Sequence, residues 1–467
     1  MASTITPLAD AFAQASSDDW LALVEKTLKG AAVDTLIGRT ADGVAIRPLY
    51  TAADAVAPLP FPSIRRHQGG WDIRADIAQS DPAAANAAAL QALSGGATSI
   101  LVRTTEPGGL AQALDGVLTD LAPVALDGGF HGIAAAEALA KIAKSAPAAP
   151  LALHLDPLSA FAAAGVSPGP VDGHIARAAD FAAGLADTYP KASLFLASGG
   201  VVHEAGGSPA WELGFAIAAG LGYAKALVAA GLPITTVFDR IILGVTAEAE
   251  SLTAIAKLRA ARVLWARVVQ ACGVAGPARI EARSSGRMLT RADRWTNLVR
   301  LTSAGFAAAV GGADAVVLGA FSDALGEADA FSSRMARNTQ LILMQEAHVG
   351  RVVDPAAGSW AVEAQTAELA RAAWAVFVEI EGFGGAAGAL RSGLIASAVG
   401  RSREALKAAI AGRTLRILGV TDFRADEAPP AAVAPDPVQS ATSSCRVDGP
   451  DSTCPTLRAT RLEELAQ

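Results

Sequence analysis

From about residue 97 onward the chain repeats one unit, a short apolar run followed by a longer Ala-rich stretch with helical spacing. The runs are TSILVR (98–103), PVALDG (123–128), PLALHL (150–155), ASLFLA (192–197), PITTVFD (233–239), ARIEAR (278–283) and DAVVLG (314–319), with RVVD (351–354) as a weaker eighth. Each run is mostly apolar along its length, which suits a strand of a parallel sheet covered on both faces. Seven or eight such units fit a (β/α)8 TIM barrel better than an open doubly wound sheet. An open sheet would show a phosphate-binding glycine pattern after its first strand, and TSILVRTTEPGG has none. The expected fold class is therefore α/β, a (β/α)8 barrel.

Two flanking segments differ from this rhythm. Residues 1–60 read as an N-terminal helical arm, in which DDWLALVEKTLKG places Trp20, Leu23, Val24 and Leu28 at helical spacing and ends at Gly30. The barrel is expected over 61–425. Residues 426–467 are rich in Pro, Ala, Ser and charge, and read as a flexible, disordered tail. Within the barrel, the stretch 247–272 puts Leu252, Ile255, Leu258, Ala261, Trp265, Val268 and Cys272 on one face. Arg259, Arg262 and Arg267 fall off that stripe and read as a solvated or subunit-facing side.

The chain has 467 residues, 52% of them apolar and only 5% aromatic, so the core is built from small side chains. Its formal net charge is −7, and no dense Lys/Arg block occurs. Neither nucleic acid nor a membrane surface is an expected partner. The N-terminus has neither a basic leader nor a long apolar run, and the expected location is cytoplasmic. Of the cysteines, Cys272 falls in a helical pattern and reads as core, while Cys445 and Cys454 lie in the polar tail; a disulfide framework is not expected.

Several motifs yield to plainer readings. Gly382, Gly384 and Ala387 match G-x-G-x-x-A, but the segment that follows is helical, so the glycines are expected to interrupt a helix rather than cradle a dinucleotide. The six histidines form no H-x-x-x-H pair, and no metal site is expected. His203-Glu204, after the strand-like run 192–197, is a candidate acid/base pair, since both groups can move protons near neutral pH. A core or surface histidine is an equally good reading.

One set of stretches, taken in order, carries a family pattern. They are WLALVEKTLKG, GVAIRPLYT, GWDIRADI (70–77), KLRAARVLWARVV (257–269), LTRADRWTNLVR (289–300) and RMARNTQLILMQEAHVGRVVDPAAGSWAVE (334–363). Through them the chain resembles the methylmalonyl-CoA mutase family. The resemblance implies a (β/α)8 barrel and isomerisation of (R)-methylmalonyl-CoA to succinyl-CoA with adenosylcobalamin. It also implies a heterodimer of a large catalytic chain and a smaller chain without a working site. The resemblance to the small chain rests on four replaced positions. A Tyr-His pair in catalytic chains falls on Gly200 and Val201, which have no group to bond a thioester carbonyl. A tyrosine falls on Asp76, and a carboxylate-binding arginine falls on Ala164. Arg74 is a retained family position. His203, two residues past Val201, would face the same way only if the strand continued.

The family's cobalamin-binding domain has no counterpart in 426–467, which lacks D-x-H-x-x-G. Adenosylcobalamin is accordingly expected on the partner chain and not on this one. The alternative is a barrel-only acyl-CoA mutase chain working with a separate cobalamin-binding protein. A third reading is a module that holds a CoA ester without chemistry.

Overall fold

The computed structural model describes residues 15–56, 70–104, 106–424 and 449–466. Eight parallel strands close into a barrel. They are β1 (Asp72–Ile77), β2 (Ser99–Arg103), β3 (Val124–Asp127), β4 (Ala152–Leu155), β5 (Ser193–Ser198), β6 (Ile241–Ala247), β7 (Ile280–Ser284) and β8 (Ala315–Val317). β8 closes the ring by pairing with both β7 and β1, with Ala315 opposite Asp72.

Two expected strands are placed differently. The run 233–239 is a short helix, Ile234–Val237, continued by a 3-10 turn to Arg240; the strand begins at Ile241. Pro233 stands at the N-cap of that helix, whereas IILGVTA, apolar but for Thr246, is fully buried. Nor is 351–354 a strand: Val352 and Val353 are exposed beyond a 3-10 turn at Val349–Arg351. The eighth strand is β1. Its alternating pattern DIRADI looks half-solvated, yet Ile73 and Ile77 are buried, and Asp72, Arg74 and Asp76 have partners on other strands, Ser99, Glu281 and Arg103.

Helices cover the strands, and a further layer adds to them. Pro209–Ala229 is long and apolar enough by composition to cross a membrane, but most of it is buried within the protein, against β5, β6 and the helix Trp360–Gly382. The glycines at 382–385 do break a helix: Trp360–Gly382 and Gly385–Arg391 meet at 76°, with Gly384 at φ +88°. Arg259 and Arg262 are not solvated, contrary to expectation. Both are buried, Arg259 against Asp354 and Glu363 (2.6 Å), Arg262 against the carbonyl of Ala278 (2.7 Å) and Asp314 (3.1 Å). Of the expected stripe, Ile255, Leu258, Ala261, Trp265 and Val268 are buried, Leu252 is exposed, and Cys272, expected in the core, is half-buried at the helix C-cap.

The arm's helix spans Ser17–Thr27, opened by a Ser16–Asp19 capping box, and none of its residues is buried. The chain returns through a two-stranded hairpin whose Asp42 docks on the barrel. There its carboxylate accepts the Ser208 hydroxyl and the Ala210 N–H (3.0 Å), capping the start of Pro209–Ala229. Of the expected flexible tail, 449–466 is ordered against the barrel. Residues 425–448, with Cys445, lie outside the described residues.

Candidate functional site at the barrel mouth

A cavity of about 1340 Å³ opens at the C-terminal ends of the strands, where TIM barrels hold their active sites. Its floor is a lattice of charges. Arg74 donates to Ser99 Oγ (2.9 Å), to Asp72 Oδ2 (2.7 Å) and to Glu281. Arg283 donates to Glu281 Oε1 (2.8 Å) and across the barrel to Asp127 Oδ2 (2.8 Å). Arg103 grips Asp76 with two nitrogens, Nε at 2.9 Å from Oδ1. Burial alone would raise the Glu281 carboxyl, but His154, Arg283 and Arg74 around it reverse that and hold it well below the ordinary range. Leu101, Ala125, Ala152 and Val317 form a small apolar cluster among the same strands.

β4 ends unusually. His154 has φ +47°, next to a register shift between β4 and β5. Its Nε2 lies 3.6 Å from Glu281 Oε2, and neither ring nitrogen makes a hydrogen bond. Burial pushes its pKa down to about 4, with Arg74 and Arg283 adding to the shift, so the ring is neutral at pH 7. Asp156 shifts the other way, up to about 6 through burial, although it accepts the Tyr223 hydroxyl at 2.6 Å and the Ser159 N–H at 3.2 Å.

The structure brings Arg74, Asp76, Gly200 and Val201 together in the cavity lining and leaves Ala164 outside it. Ala164 is the last residue of the helix Pro157–Ala164; the neighbouring Ala160 and Ala163 face the cavity instead. Arg74 is spent inside the lattice. After Gly199 the backbone turns into the helix Gly200–Glu204, so His203 does not follow the direction of Val201. It is fully buried outside the lining. Its Nε2 is 2.8 Å from Ser285 Oγ, and its Nδ1 is 3.3 Å from Glu212 Oε2. That connectivity resembles a charge relay, but Ser285 and Glu212 are fully buried too. Glu212 is also held by Lys257 (2.7 Å) and by the Thr246 N–H and hydroxyl (both 2.6 Å). The group locks β6 to the loop after β7 and has no access to a substrate.

Sequence reasoning passed over Arg103, Asp127, His154, Asp156, Glu281 and Arg283. All six lie on or just after strands, where a charge closing an apolar run is a usable signal for the barrel's upper face. It also passed over the C-terminal segment, whose Thr456, Leu457, Arg458, Ala459 and Arg461 line the cavity.

The family model for methylmalonyl-CoA mutase matches residues 151–447. The methylmalonyl-CoA mutase small subunit of Streptomyces virginiae is 40% identical over 461 residues, covering 92% of this chain. The chain belongs to the methylmalonyl-CoA mutase family. The small subunit of Propionibacterium freudenreichii subsp. shermanii is 33% identical over 453 residues, and a probable small subunit of Mycobacterium tuberculosis (strain ATCC 25618 / H37Rv) 37% over 414, covering 90% and 82% of the chain. The chain spans 74%, 70% and 66% of the length of these three relatives, in the order given.

Proposed function

We propose that this chain is the small, non-catalytic subunit of a heterodimeric methylmalonyl-CoA mutase and supports a large chain that isomerises (R)-methylmalonyl-CoA to succinyl-CoA. The observation that carries the reading is the closed charge lattice. Arg74, Arg103 and Arg283 each hold a carboxylate of the chain itself, and Gly200 and Val201 offer no side-chain donor. A substrate carboxylate entering this floor would have to displace these carboxylates; the Arg74–Glu281 pair is buried, and opening such a pair costs on the order of 3–5 kcal/mol, while the half-buried pairs at Arg103 and Arg283 cost less.

Adenosylcobalamin, which the family uses, would meet the chain's own C-terminal segment at the mouth, where Thr456, Leu457, Arg458, Ala459 and Arg461 wall one side of the cavity. The cofactor is assigned to the partner. The arm supports a subunit role as well, because its helix exposes Leu21 and Leu23 and buries none of its residues. The complex is placed in the cytoplasm, where acyl-CoA esters are metabolised.

The test is reconstitution. The chain is purified alone, with a large mutase subunit, and with an isolated cobalamin-binding protein, and each is assayed with adenosylcobalamin and methylmalonyl-CoA. Turnover is expected only with the large subunit, accompanied by co-elution of the two chains. Isomerisation by this chain without that partner would refute the assignment, and turnover with the isolated cobalamin-binding protein would establish the barrel-only alternative.

A further inference from the structure

Residues 449–466 run along one side of the barrel and up into its mouth. The main chain does most of the holding. Val171 and Ser167 donate to the carbonyls of Asp451 (3.1 Å) and Ser452 (2.9 Å), and Cys454 donates back to Gly165 (2.9 Å), around an antiparallel bridge between Val166 and Thr453. Further on, Leu457 donates to Ala162 (2.8 Å), Thr460 to Glu204 (2.8 Å) and Leu462 to Arg287 (2.9 Å). The Glu463 carboxylate accepts the Arg291 N–H at 2.6 Å. Leu457 is the apolar anchor, buried in the main core.

The barrel is shaped to receive this segment. Gly165 ends the helix Pro157–Ala164 at φ +74°, and a Cβ placed there would sit 2.1 Å from Thr456 Oγ1 and 3.1 Å from the Cys454 carbonyl. Only glycine meets both the backbone angle and the space. The eight strands close without help from the segment, since every ladder contact is made within 72–317.

We propose that residues 449–466 are a releasable strap that walls one side of the barrel-mouth cavity, so that anything using the mouth must compete with a segment of the chain itself. Many main-chain bonds but one buried apolar anchor describe an element that opens locally, well below the cost of unfolding the barrel. Undocking removes Thr456, Leu457, Arg458, Ala459 and Arg461 from the cavity wall together. The inference does not depend on the mutase assignment.

Cys454 provides the test. Its thiol points to the Phe161 carbonyl (3.5 Å), and burial pushes it up to about 12, so it reacts with disulfide reagents mainly when the strap is off. The full chain carrying Cys272→Ser and Cys445→Ser, which leaves Cys454 alone to react, is labelled with dithionitrobenzoate. Leu457→Ser on the strap and Gly165→Val on its dock are compared in the same background. Both are expected to speed Cys454 labelling about ten-fold or more, with the urea midpoint of the barrel nearly unchanged for Leu457→Ser. Hydrogen exchange should show the strap amides losing protection while the β-strand amides keep theirs. Labelling that is unchanged in Leu457→Ser would overturn the strap. So would labelling of the parent that follows barrel unfolding at every urea concentration.

Discussion

His154 and Asp156 stand two residues apart with opposite shifts, and each gives a signed prediction. The His154 ring has an ordinary value of 6.5 and a folded value of about 4. Between those limits the unfolded chain binds a proton that the folded chain refuses, so stability falls as pH drops from about 6.5 to 4. The loss amounts to about 3 kcal/mol at roughly 1.4 kcal/mol per pKa unit. His154→Asn keeps a residue that tolerates the left-handed backbone and removes the titration. Urea denaturation at pH 7 and pH 4.5 should show a smaller acid loss in the variant; equal losses would mean the ring is solvated. Asp156, with an ordinary value of 3.8, is raised to about 6, so its contribution is fully present below pH 3.8 and is lost as pH rises through 6. Asp156→Asn can still accept from Tyr223 and Ser159. It should stabilise the protein at pH 7 by about 1–2 kcal/mol, discounting for partial exposure, and give no gain at pH 4. Thermal melts at the two pH values measure this.

At the scale of elements, packing depends on a few glycines that periodicity alone cannot explain. Gly214 lies where Pro209–Ala229 crosses Trp360–Gly382; a Cβ there would sit 2.5 Å from Val376 Cγ1 and 3.2 Å from the Phe377 backbone nitrogen. Gly214→Ala forces the helices apart, and overpacking of this kind costs about 1–3 kcal/mol. A shifted urea midpoint with unchanged circular dichroism is the expected result. Six apolar runs were readable as strands because they lie in a parallel ladder and are apolar on both faces. β1 was hidden because its charges point to counter-ions inside the barrel, and an alternating DIRADI carries no mark that distinguishes a buried ion layer from water. The run at 233–239 reads as a strand but folds as a helix, because β-branched residues after a proline serve a first helical turn as well as a strand. The strap had the composition of a disordered segment, and its order comes from tertiary partners such as Gly165 that no local signal links to Thr456. Likewise Gly200 and Val201 could be placed at the mouth from their position after β5, but the direction of His203 could not, since it depends on where the strand gives way to helix.

For the molecule as a whole, the lattice does the closing that stacked apolar side chains do in most barrels. Glu281 on β7 joins Arg74 on β1 to Arg283, which reaches Asp127 on β3, while His154 on β4 presses against the same carboxylate. Strands that are not neighbours in the sheet are thereby tied through the centre. Glu281→Gln leaves Arg74 and Arg283 sharing fewer negative charges in a buried layer, and removing one partner of such a group costs about 3–5 kcal/mol. Restoring balance with Arg283→Gln in the same chain should recover part of that loss, so the double variant is less unstable than the sum of the two single ones. Urea denaturation at low and high salt tests both points. A buried lattice predicts little dependence on ionic strength, whereas exposed pairs would weaken as salt screens them. A cost for Glu281→Gln below about 1 kcal/mol, in the range of exposed pairs, would mean that water reaches the barrel floor. The interior would then be open to a ligand, and the strongest physical reason for assigning catalysis to the partner chain would be gone.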